Sequence, residues 1–432
     1  MKKLKKLSAI VMMLTILVSS LPLHAGAEQP YQLKFAQSSP DEINAVETDF
    51  SALGTGDLGV DTPNPDNAEV ISSLSDYYEL TSTNENGKKD IAQTGASSLP
   101  SSVDNSQSPY FPEVDTQGSL NSCVPFACTY YQFTYEMNRA RKVATTKDTI
   151  FSPKWAFNFL NHGSGSGTNY TLVYGILKQH GCPLNKSFPY DAKDYLSWST
   201  DEKVWREAIR YRLKDYQLFD KIGEDGKDIT SPDDPDLLAI KTALSNGDVL
   251  TCSTFFDSWE TKTLKTNAAA AENNKYANQK YLRAMTATKG DHRISIVGYN
   301  DNLWIDINNN DKVDAGEKGA FKIANSWGDG YGNKGFMWVA YDALNKESCV
   351  EGVEANSERE SIFREVSGIS VVKQGTNADI YLKYTLNTSD RSQVRVSLSA
   401  EKDGTIYNSS AYSNEFSGKG MAYDGSKEAT DA

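Results

Sequence analysis

The stretch NSCVPFACTYYQFTYEM, residues 121–137, places two cysteines, Cys123 and Cys128, near the start of a helical pattern. A thiol becomes a useful nucleophile only as the thiolate, and the unpaired N–H groups and dipole of a helix N-terminus favour that charge. Ser122 is a good N-cap and Pro125 suits a first turn, so the pattern predicts Cys123 in that turn. Cys128 lies farther along the helix, and we interpret it as a small packed core residue.

A nucleophilic cysteine needs a base that accepts the thiol proton and later protonates the leaving amine, and histidine commonly fills that role. The sequence contains four histidines. His24 lies in the N-terminal leader, His162 in a Gly/Ser loop and His180 at a predicted helix end. His292 begins a predicted strand in GDHRISIVGY, where a rigid element can hold its ring. His292 is therefore the candidate base, although a lone histidine is more often structural.

Two amide side chains complete a candidate acyl-transfer site. Asn325, in ANSWGDGYGNKG, can accept a hydrogen bond from the imidazole of His292 and fix its tautomer, while Trp327 can shield that bond from water. Gln117, six residues before Cys123, supplies a side-chain N–H that can bind an oxyanion together with the backbone N–H of the cysteine. Each feature alone is weak, but their order and context together predict nucleophilic acyl transfer.

The blocks QGSLNSC, DHRISIVGY and ANSWGDGYGNKGF resemble the three signature blocks of the papain-like cysteine peptidases. The resemblance covers about residues 98–345. It implies an α+β fold in two subdomains, one helical with the nucleophile and one of β structure with the histidine and asparagine, separated by an active-site cleft. The roles that it implies are nucleophile for Cys123, base and acid for His292, orienting residue for Asn325 and oxyanion donor for Gln117.

The sequence departs from the family pattern beside the nucleophile and the histidine. Leu120, Asn121 and Val124 stand where the family commonly has Cys, Gly and Trp. The first change removes a usual disulfide, and Asn121 would have to tolerate backbone geometry that glycine adopts freely. Arg293 follows the histidine in place of a small apolar residue, and nothing in the sequence explains it. Three disulfide pairings or none remain open for the other four cysteines, Cys128, Cys182, Cys252 and Cys349.

Hydrophobic periodicity predicts a helical half followed by a β half. The first helix has apolar residues at helical spacing, namely Phe126, Tyr130, Phe133 and Met137. Further helical patterns cover residues 151–161, 170–180, 202–218 and 236–246. After about residue 248 the pattern changes to strands in VLTCSTFF, RISIVGY, GAFKIAN and GFMWVAY. This order favours an α+β architecture with a cleft between its halves.

Composition divides the 432 residues into four parts. Residues 1–27 carry four lysines, an apolar run and small residues at a cleavage position, which indicates a secretory signal peptide. A membrane anchor is the alternative, but the run is short and Pro22 interrupts its end. We expect residues 28–97 to be an acidic propeptide or a spacer, and residues 98–361 to be the papain-like catalytic domain. Residues 362–432 offer only a few strands, and we expect an incomplete, truncated β-rich accessory segment.

The net charge of −13 is concentrated in the N-terminal part, because residues 28–100 contribute −10. Such a segment could cover a cleft as an inhibitory propeptide, and a disordered spacer is the alternative. No basic stripe is available to neutralise phosphates, so we expect no nucleic-acid partner. No other stretch is apolar enough to cross a bilayer, so we expect no membrane span in the mature protein.

A second candidate site lies in DINNNDKVDAGE, residues 306–317, between the histidine and asparagine strands. Its oxygen donors match positions 1, 3, 5, 7, 9 and 12 of an EF-hand calcium loop, namely Asp306, Asn308, Asn310, the Lys312 carbonyl, Asp314 and Glu317. Position 6 is Asp311 where glycine normally turns the chain, although aspartate visits left-handed geometry more easily than most residues. The alternative is an Asn/Asp-rich surface hairpin. We expect structural Ca²⁺ that stiffens the connection between the two strands.

These features predict a secreted thiol peptidase, an endopeptidase made as a zymogen, which hydrolyses protein or peptide substrates through a Cys-His-Asn triad and an acyl-enzyme intermediate. The chemistry needs no cofactor. One alternative is a catalytically inactive papain-fold module that binds at the cell surface. Another is a transglutaminase-like acyl transferase, which usually orients its histidine with aspartate, so Asn325 favours the peptidase.

Overall fold

The computed structural model describes five ranges of the chain with their side chains, 99–161, 163–219, 229–372, 386–391 and 421–431. Outside these ranges it gives the backbone of five strands, Ile10–Leu17, Leu33–Gln37, Glu69–Ile71, Val394–Lys402 and Thr405–Asn408. Apart from those backbone strands, the expected signal peptide and acidic segment lie outside the described residues, as does His162. In the described part, no helix is long and apolar enough to cross a membrane.

The helical half is built around one long helix, residues 123–141. The helices are α1 Cys123–Pro125, a π-helix Phe126–Phe133, α2 Thr134–Arg141, α3 Pro153–Leu160, α4 Tyr170–Gln179, α5 Glu202–Ala208 and α6 Pro235–Ser245. Short 3₁₀ helices span Asn105–Gln107, Phe256–Ser258, Ala271–Lys275 and Tyr341–Leu344. The helices predicted at 151–161, 170–180 and 236–246 are confirmed.

The helix predicted over residues 202–218 is wrong in its second part. The helix ends at Ala208, and Leu213–Phe219 forms a strand. This strand pairs antiparallel with Arg364–Val371, with Leu218 opposite Ser367. Because the partner lies far along the chain, local periodicity could not reveal the pairing.

The long helix passes through the centre of the molecule. Its predicted apolar positions are all buried, but they divide between two clusters, with Phe133 and Met137 in the helical core and Phe126 and Tyr130 in a cluster that also contains Val249. All the side chains from Cys123 to Asn138 are buried, so the helix is enclosed on every face. The π-helical stretch widens the helix immediately after its first turn, and such π segments frequently occur at functional sites.

The strands, in chain order, are β1 Ile10–Leu17, β2 Leu33–Gln37, β3 Glu69–Ile71, β4 Ser102–Asp104, β5 Leu213–Phe219, β6 Leu250–Phe255, β7 Trp259–Thr263, β8 Lys280–Met285, β9 Asp291–Trp304, β10 Lys318–Ala324, β11 Phe336–Ala340, β12 Arg364–Val371, β13 Asn387–Thr388, β14 Val394–Lys402, β15 Thr405–Asn408 and β16 Thr430–Asp431. The large sheet has the order β3-β5-β12-β6-β9-β10-β11-β8-β7, and β4 pairs with β9. Two smaller sheets have the orders β15-β14-β1-β2 and β13-β16. The predicted strands around residues 250, 294, 320 and 337 are confirmed as β6, β9, β10 and β11.

Antiparallel pairing in the large sheet brings His292 and Asn325 together at one end of the strands. The start of β9 pairs with the end of β6, with His292 opposite Thr254. The end of β10 pairs with the same part of β9, with Ala324 opposite Ser295. Since Asn325 follows Ala324, the pairing sets the asparagine beside the beginning of β9.

Two segments near the ends of the expected catalytic domain, one inside its first boundary and one just beyond its last, also belong to this sheet. Strand β12 falls in the segment that we assigned to the accessory region, yet it pairs with both β5 and β6. Strand β4 pairs with β9, and Tyr299 donates a hydrogen bond to the carbonyl of Pro100 at 2.7 Å. Gly298 lies directly under this strand, because a Cβ there would lie 2.2 Å from the Val103 carbonyl oxygen. The chain from Pro100 onward is therefore part of the sheet.

Candidate active site

Cys123 is the first residue of α1 and is 3% exposed. Ser122 occupies the N-cap position, but its hydroxyl makes no capping bond and lies 2.7 Å from the Tyr190 hydroxyl. Tyr190 donates its own proton to the Gln117 carbonyl at 2.7 Å, so Ser122 is the donor in the first contact. The prediction of Ser122 as the N-cap is thus right in position and wrong in the bond, because the hydroxyl is used to anchor the segment before the helix.

His292 and Asn325 are both buried and are joined by a hydrogen bond of 2.8 Å between Nε2 and Oδ1. An amide oxygen can only accept, so Nε2 carries the proton and Nδ1 remains as the acceptor nitrogen. The same amide oxygen accepts the backbone N–H of Ser326 at 2.7 Å. The carbonyl of Asn325 accepts from the Tyr131 hydroxyl at 3.0 Å, which ties the asparagine to the long helix.

Aromatic rings cover the histidine. The ring of Trp327 stacks on His292 with centroids 4.8 Å apart and an interplanar angle of 25°. Phe256 and Trp259 meet the imidazole edge-on at 5.5 and 6.1 Å. Sequence reasoning expected the contact of Trp327 and missed the other two rings, for which the only signal is the pair of aromatic residues shortly after β6. The cover keeps water from the His292–Asn325 hydrogen bond.

Cys123, His292 and Gln117 line one cleft of about 260 Å³. The remaining lining residues are Gly118, Ser119, Leu120, Asn121, Phe256, Asp291 and Trp327. Asn325 lies behind the histidine, and its side chain is not part of the lining. Asn121 is not among the positive-φ residues in the described part of the chain, so the replacement of glycine there causes no strain of the kind the sequence suggested.

Gln117 is held by the loop that follows Asn325. Its Oε1 accepts from the Ser326 hydroxyl at 2.6 Å, and its backbone N–H donates to the Ser326 carbonyl at 2.8 Å. Its Nε2 donates one hydrogen to the Leu120 carbonyl at 2.8 Å, which leaves the second hydrogen of the amide. Cys123 begins the helix, so its N–H has no acceptor within the helix. Sequence reasoning missed Ser326, although it stands within the NSWG motif.

At this site burial disfavours the Cys123 thiolate and the His292 imidazolium when either is formed alone. It raises the pKa of Cys123 to about 11, against hydrogen bonds from backbone N–H groups that include that of Arg293. Burial also lowers the pKa of His292 to about 4, against the hydrogen bond to Asn325. A proton moved from the thiol to the imidazole creates both charges together, and their mutual attraction offsets the cost of burying them. The site therefore suits proton transfer within the pair.

The residues of the candidate calcium loop have the expected donor chemistry, and Asp311 at position 6 adopts the left-handed φ of 59° that glycine usually supplies. Their carboxylates already accept protein hydrogen bonds. Asp306 accepts from Lys265 Nζ at 2.6 Å, while Glu317 accepts from Trp304 Nε1 and the Ile307 N–H, each at 2.8 Å. Within the described residues, no group of three or more His, Cys, Asp or Glu is arranged to hold a metal ion.

The loop residues at positions 3, 5 and 9, namely Asn308, Asn310 and Asp314, are hydrogen-bonded to one another. Asp314 accepts from the amides of Asn308 and Asn310 at 2.9 and 2.6 Å. The Lys265 ammonium also contacts Asp311 at 2.7 Å, so one lysine side chain bridges two carboxylates of the loop. An oxygen-rich loop of this composition suits a hard cation such as Ca²⁺, which would have to displace this lysine from Asp306.

The five cysteines all lie in the described part of the chain, and none of them forms a disulfide there. Of the open disulfide schemes, the structure has the one with no pair. Cys128 is fully buried, as the sequence predicted for a packed residue.

The profile described as papain family cysteine protease matches residues 99–358, which is more than half of the chain. The chain belongs to the papain family of cysteine proteases. The resemblance and the α+β fold that it implied are confirmed, and the protein is a cysteine-type peptidase.

Solved structures of similar fold include several cysteine proteases. Xylellain, a cysteine protease from Xylella fastidiosa, is 17% identical, with 64% of this chain and 88% of that chain covered and a TM-score of 0.41. The digestive procathepsin L2 of Tenebrio molitor is 16% identical, with coverages of 77% and 80% and a TM-score of 0.43. The bromelain protease of Ananas comosus is 14% identical, with coverages of 63% and 99% and a TM-score of 0.41. No curated protein matches the sequence.

Proposed function

We propose that this papain-family peptidase is a secreted endopeptidase that cleaves peptide bonds through Cys123, His292 and Asn325. One observation carries the proposal. A cysteine at a helix start and a histidine with its far nitrogen bonded to an asparagine line the same cleft. A buried thiol is a poor nucleophile without a base, and His292 is the histidine in this cleft lining.

In the acylation step, Nδ1 of His292 takes the proton of the Cys123 thiol as the sulfur attacks the carbonyl carbon of the substrate. The carbonyl electron pair moves to its oxygen, which accepts hydrogen bonds from the second Nε2 hydrogen of Gln117 and the Cys123 N–H. The oxyanion then collapses, the C–N bond breaks, and the imidazolium gives its proton to the leaving amine. The product is a thioester on the sulfur and a free amine.

In the deacylation step, His292 removes a proton from water, and the hydroxide attacks the thioester carbonyl. Collapse of this second intermediate breaks the C–S bond and releases the acid, and the sulfur recovers its proton from the histidine. Asn325 holds the imidazole so that Nδ1 faces the cleft throughout. Trp327 keeps water from that hydrogen bond, so the orientation of the ring does not depend on solvent.

Casein hydrolysis by wild-type protein, Cys123→Ala and Cys182→Ala tests the assignment. Cys182 is also fully buried in the helical core, but it is not among the residues that line the cleft, so its variant controls for loss of a buried thiol. We expect hydrolysis to disappear in Cys123→Ala and persist in Cys182→Ala. Hydrolysis that survives in Cys123→Ala would refute the assignment, and amine incorporation without hydrolysis would favour an acyl transferase.

The zymogen part of the proposal rests on the acidic segment 28–97, and secretion rests on residues 1–27. Export predicts a mature protein in the culture medium that lacks residues 1–27. The segment 28–97, added as a separate polypeptide, should inhibit protein that begins at residue 98. Absence of inhibition would leave the segment as a spacer, and protein that stays inside the cell with residues 1–27 attached would refute export.

Structural calcium is proposed for the loop 306–317, with Asp306, Asn308, Asn310, the Lys312 carbonyl, Asp314 and Glu317 as the residues that would hold it. Bound Ca²⁺ would add a charge that stiffens the link between β9 and β10. Calcium should raise the melting temperature of the wild-type protein and leave that of Asp314→Ala unchanged. Equal melting temperatures of wild-type protein with Ca²⁺ and with chelator would refute the site.

A further inference from the structure

Arg293 follows His292 on β9 and is fully buried. The sequence offered no reason for an arginine at this position. Its guanidinium donates to the hydroxyls of Thr251 on β6 at 2.8 Å, Ser253 on β6 at 2.8 Å and Ser367 on β12 at 2.5 Å, and to the Glu365 carbonyl at 3.3 Å. The side chain thus joins the histidine strand to two other strands of the large sheet.

The same guanidinium also contacts the helical subdomain. Its Cζ lies 3.9 Å from the centre of the Tyr170 ring on α4, a distance at which a cation interacts favourably with an aromatic face. Its positive charge lowers the pKa of the Cys128 thiol in the long helix, against the stronger effect of burial. Arg293 therefore bridges the two subdomains beside the cleft.

Neighbouring polar groups extend this bridge. The hydroxyl of Tyr174 on α4 lies 3.0 Å from both the Thr251 and Ser367 hydroxyls and donates to Gln132 at 2.6 Å. Gln132, in the long helix, donates in turn to the carbonyls of Val249 and Ser367, each at 2.9 Å. The acceptors around the guanidinium are held from both sides, so its position is fixed.

The main chain of Arg293 lies in a strand that contacts the start of the long helix, since β9 packs against α1. The Arg293 N–H lowers the pKa of the Cys123 thiol, against the larger effect of burial. One residue therefore influences two thiols of the long helix, Cys123 through its main chain and Cys128 through its side chain. A shift of the guanidinium would move the main chain that carries both this N–H and His292.

Burial of an arginine without a directly bonded carboxylate is costly. In the described part of the chain, the oxygen acceptors of this guanidinium are hydroxyls and a carbonyl. The nearest bonded carboxylate, that of Glu365, accepts from the Ser253 hydroxyl at 2.9 Å and so lies one hydrogen bond away. A well-packed apolar side chain would fill the space at lower cost, which indicates a purpose other than stability alone. The titratable groups that act on the guanidinium are Cys128, Tyr174, Tyr170 and Glu365.

We propose that Arg293 is a positioning residue that holds the Cys123 sulfur and the His292 ring in register by tying the β9 main chain to the long helix and α4. The inference rests on the proposed function of Cys123 and His292. It differs from a purely structural role, because it assigns the residue an effect on the reactivity of the sulfur.

The test measures the rate of Cys123 alkylation by iodoacetamide against pH, together with kcat and KM on a peptide substrate, for Arg293→Gln in the full-length protein. Arg359→Gln is the matched control, because Arg359 is also buried and bonds Asp342 and Asn345 in the β core away from the cleft. We expect Arg293→Gln to shift the alkylation profile toward higher pH and to lower kcat at least tenfold with little change in KM. Arg359→Gln should lose stability with an unshifted profile.

A wild-type alkylation profile and a wild-type kcat per folded molecule in Arg293→Gln would overturn the inference. Should Arg293→Gln fail to fold, Ser367→Ala, which removes one acceptor, should shift the profile in the same direction by a smaller amount, and an unshifted profile there would overturn it equally. Cys123→Ala distinguishes failure of the proposed function from failure of the role of Arg293. Casein hydrolysis by that variant would refute the proposed function, whereas an inactive Cys123→Ala beside a fully active Arg293→Gln refutes only the role of Arg293.

Discussion

Acidification should destabilise this protein through His292. Burial lowers the pKa of the folded-state imidazole to about 4 from an ordinary value of 6.5. Between those values the unfolded chain binds a proton that the folded chain does not, so the free energy of unfolding falls as the pH falls. One pKa unit corresponds to about 1.4 kcal/mol. A pH of 5.0 lies about 1.5 units below the pKa of the unfolded-state imidazole. His292 alone should therefore lower the free energy of unfolding by roughly 2 kcal/mol relative to pH 7.5.

Urea unfolding at pH 7.5 and 5.0, followed by tryptophan fluorescence, measures this loss. The comparison uses Cys123→Ala, which cannot digest itself, and the double variant Cys123→Ala/His292→Gln. Acid-sensitive groups elsewhere contribute equally to both proteins, so the difference between their pH responses isolates His292. The double variant should lose about 2 kcal/mol less between the two pH values. Equal losses in the two proteins would refute the burial of a neutral imidazole in the folded state.

Three further substitutions test the site and its support. Gln117→Ala should lower kcat by roughly 10²- to 10³-fold through loss of an oxyanion donor, and steady-state kinetics on a peptide substrate checks this. Trp327→Ala should admit water to His292 and raise its folded-state pKa toward 6.5, which moves the acid limb of the pH–kcat/KM profile to higher pH. Gly298→Ala should displace β4, because the added Cβ would lie 2.2 Å from the Val103 carbonyl oxygen, and limited proteolysis should then cut the chain before residue 105.

For each of these three variants, a specific result would contradict the expectation. Unchanged kcat in Gln117→Ala would remove the residue from the oxyanion site, with Gln107→Ala as the control for loss of an amide on the preceding segment. An unshifted acid limb in Trp327→Ala would show that Phe256 and Trp259 suffice to keep the histidine dry. Wild-type resistance to proteolysis in Gly298→Ala would mean that β4 does not depend on this close approach.

Residue types and local patterns were enough to predict the family, the α+β class and most of the elements. A cysteine at a helix start, a histidine opening a strand and an NSWG motif are local features, so they can be read without knowledge of what packs against them. The same holds for the helices at 151–161, 170–180 and 236–246, which carry their own periodicity and capping residues. The failure at 202–218 has the opposite cause, because the strand Leu213–Phe219 depends on a partner more than a hundred residues away.

Tertiary structure alone decided how these pieces act on one another. The hydroxyl of Ser122 can cap a helix, and only the proximity of Tyr190 determines that it bonds there instead. The depressed pKa of His292 comes from rings and strands that exclude water, and burial depends on packing that no single stretch of sequence specifies. Arg293 was unexplained in the sequence because the hydroxyls and the aromatic ring that its guanidinium contacts come from three separate elements that meet only in the folded chain.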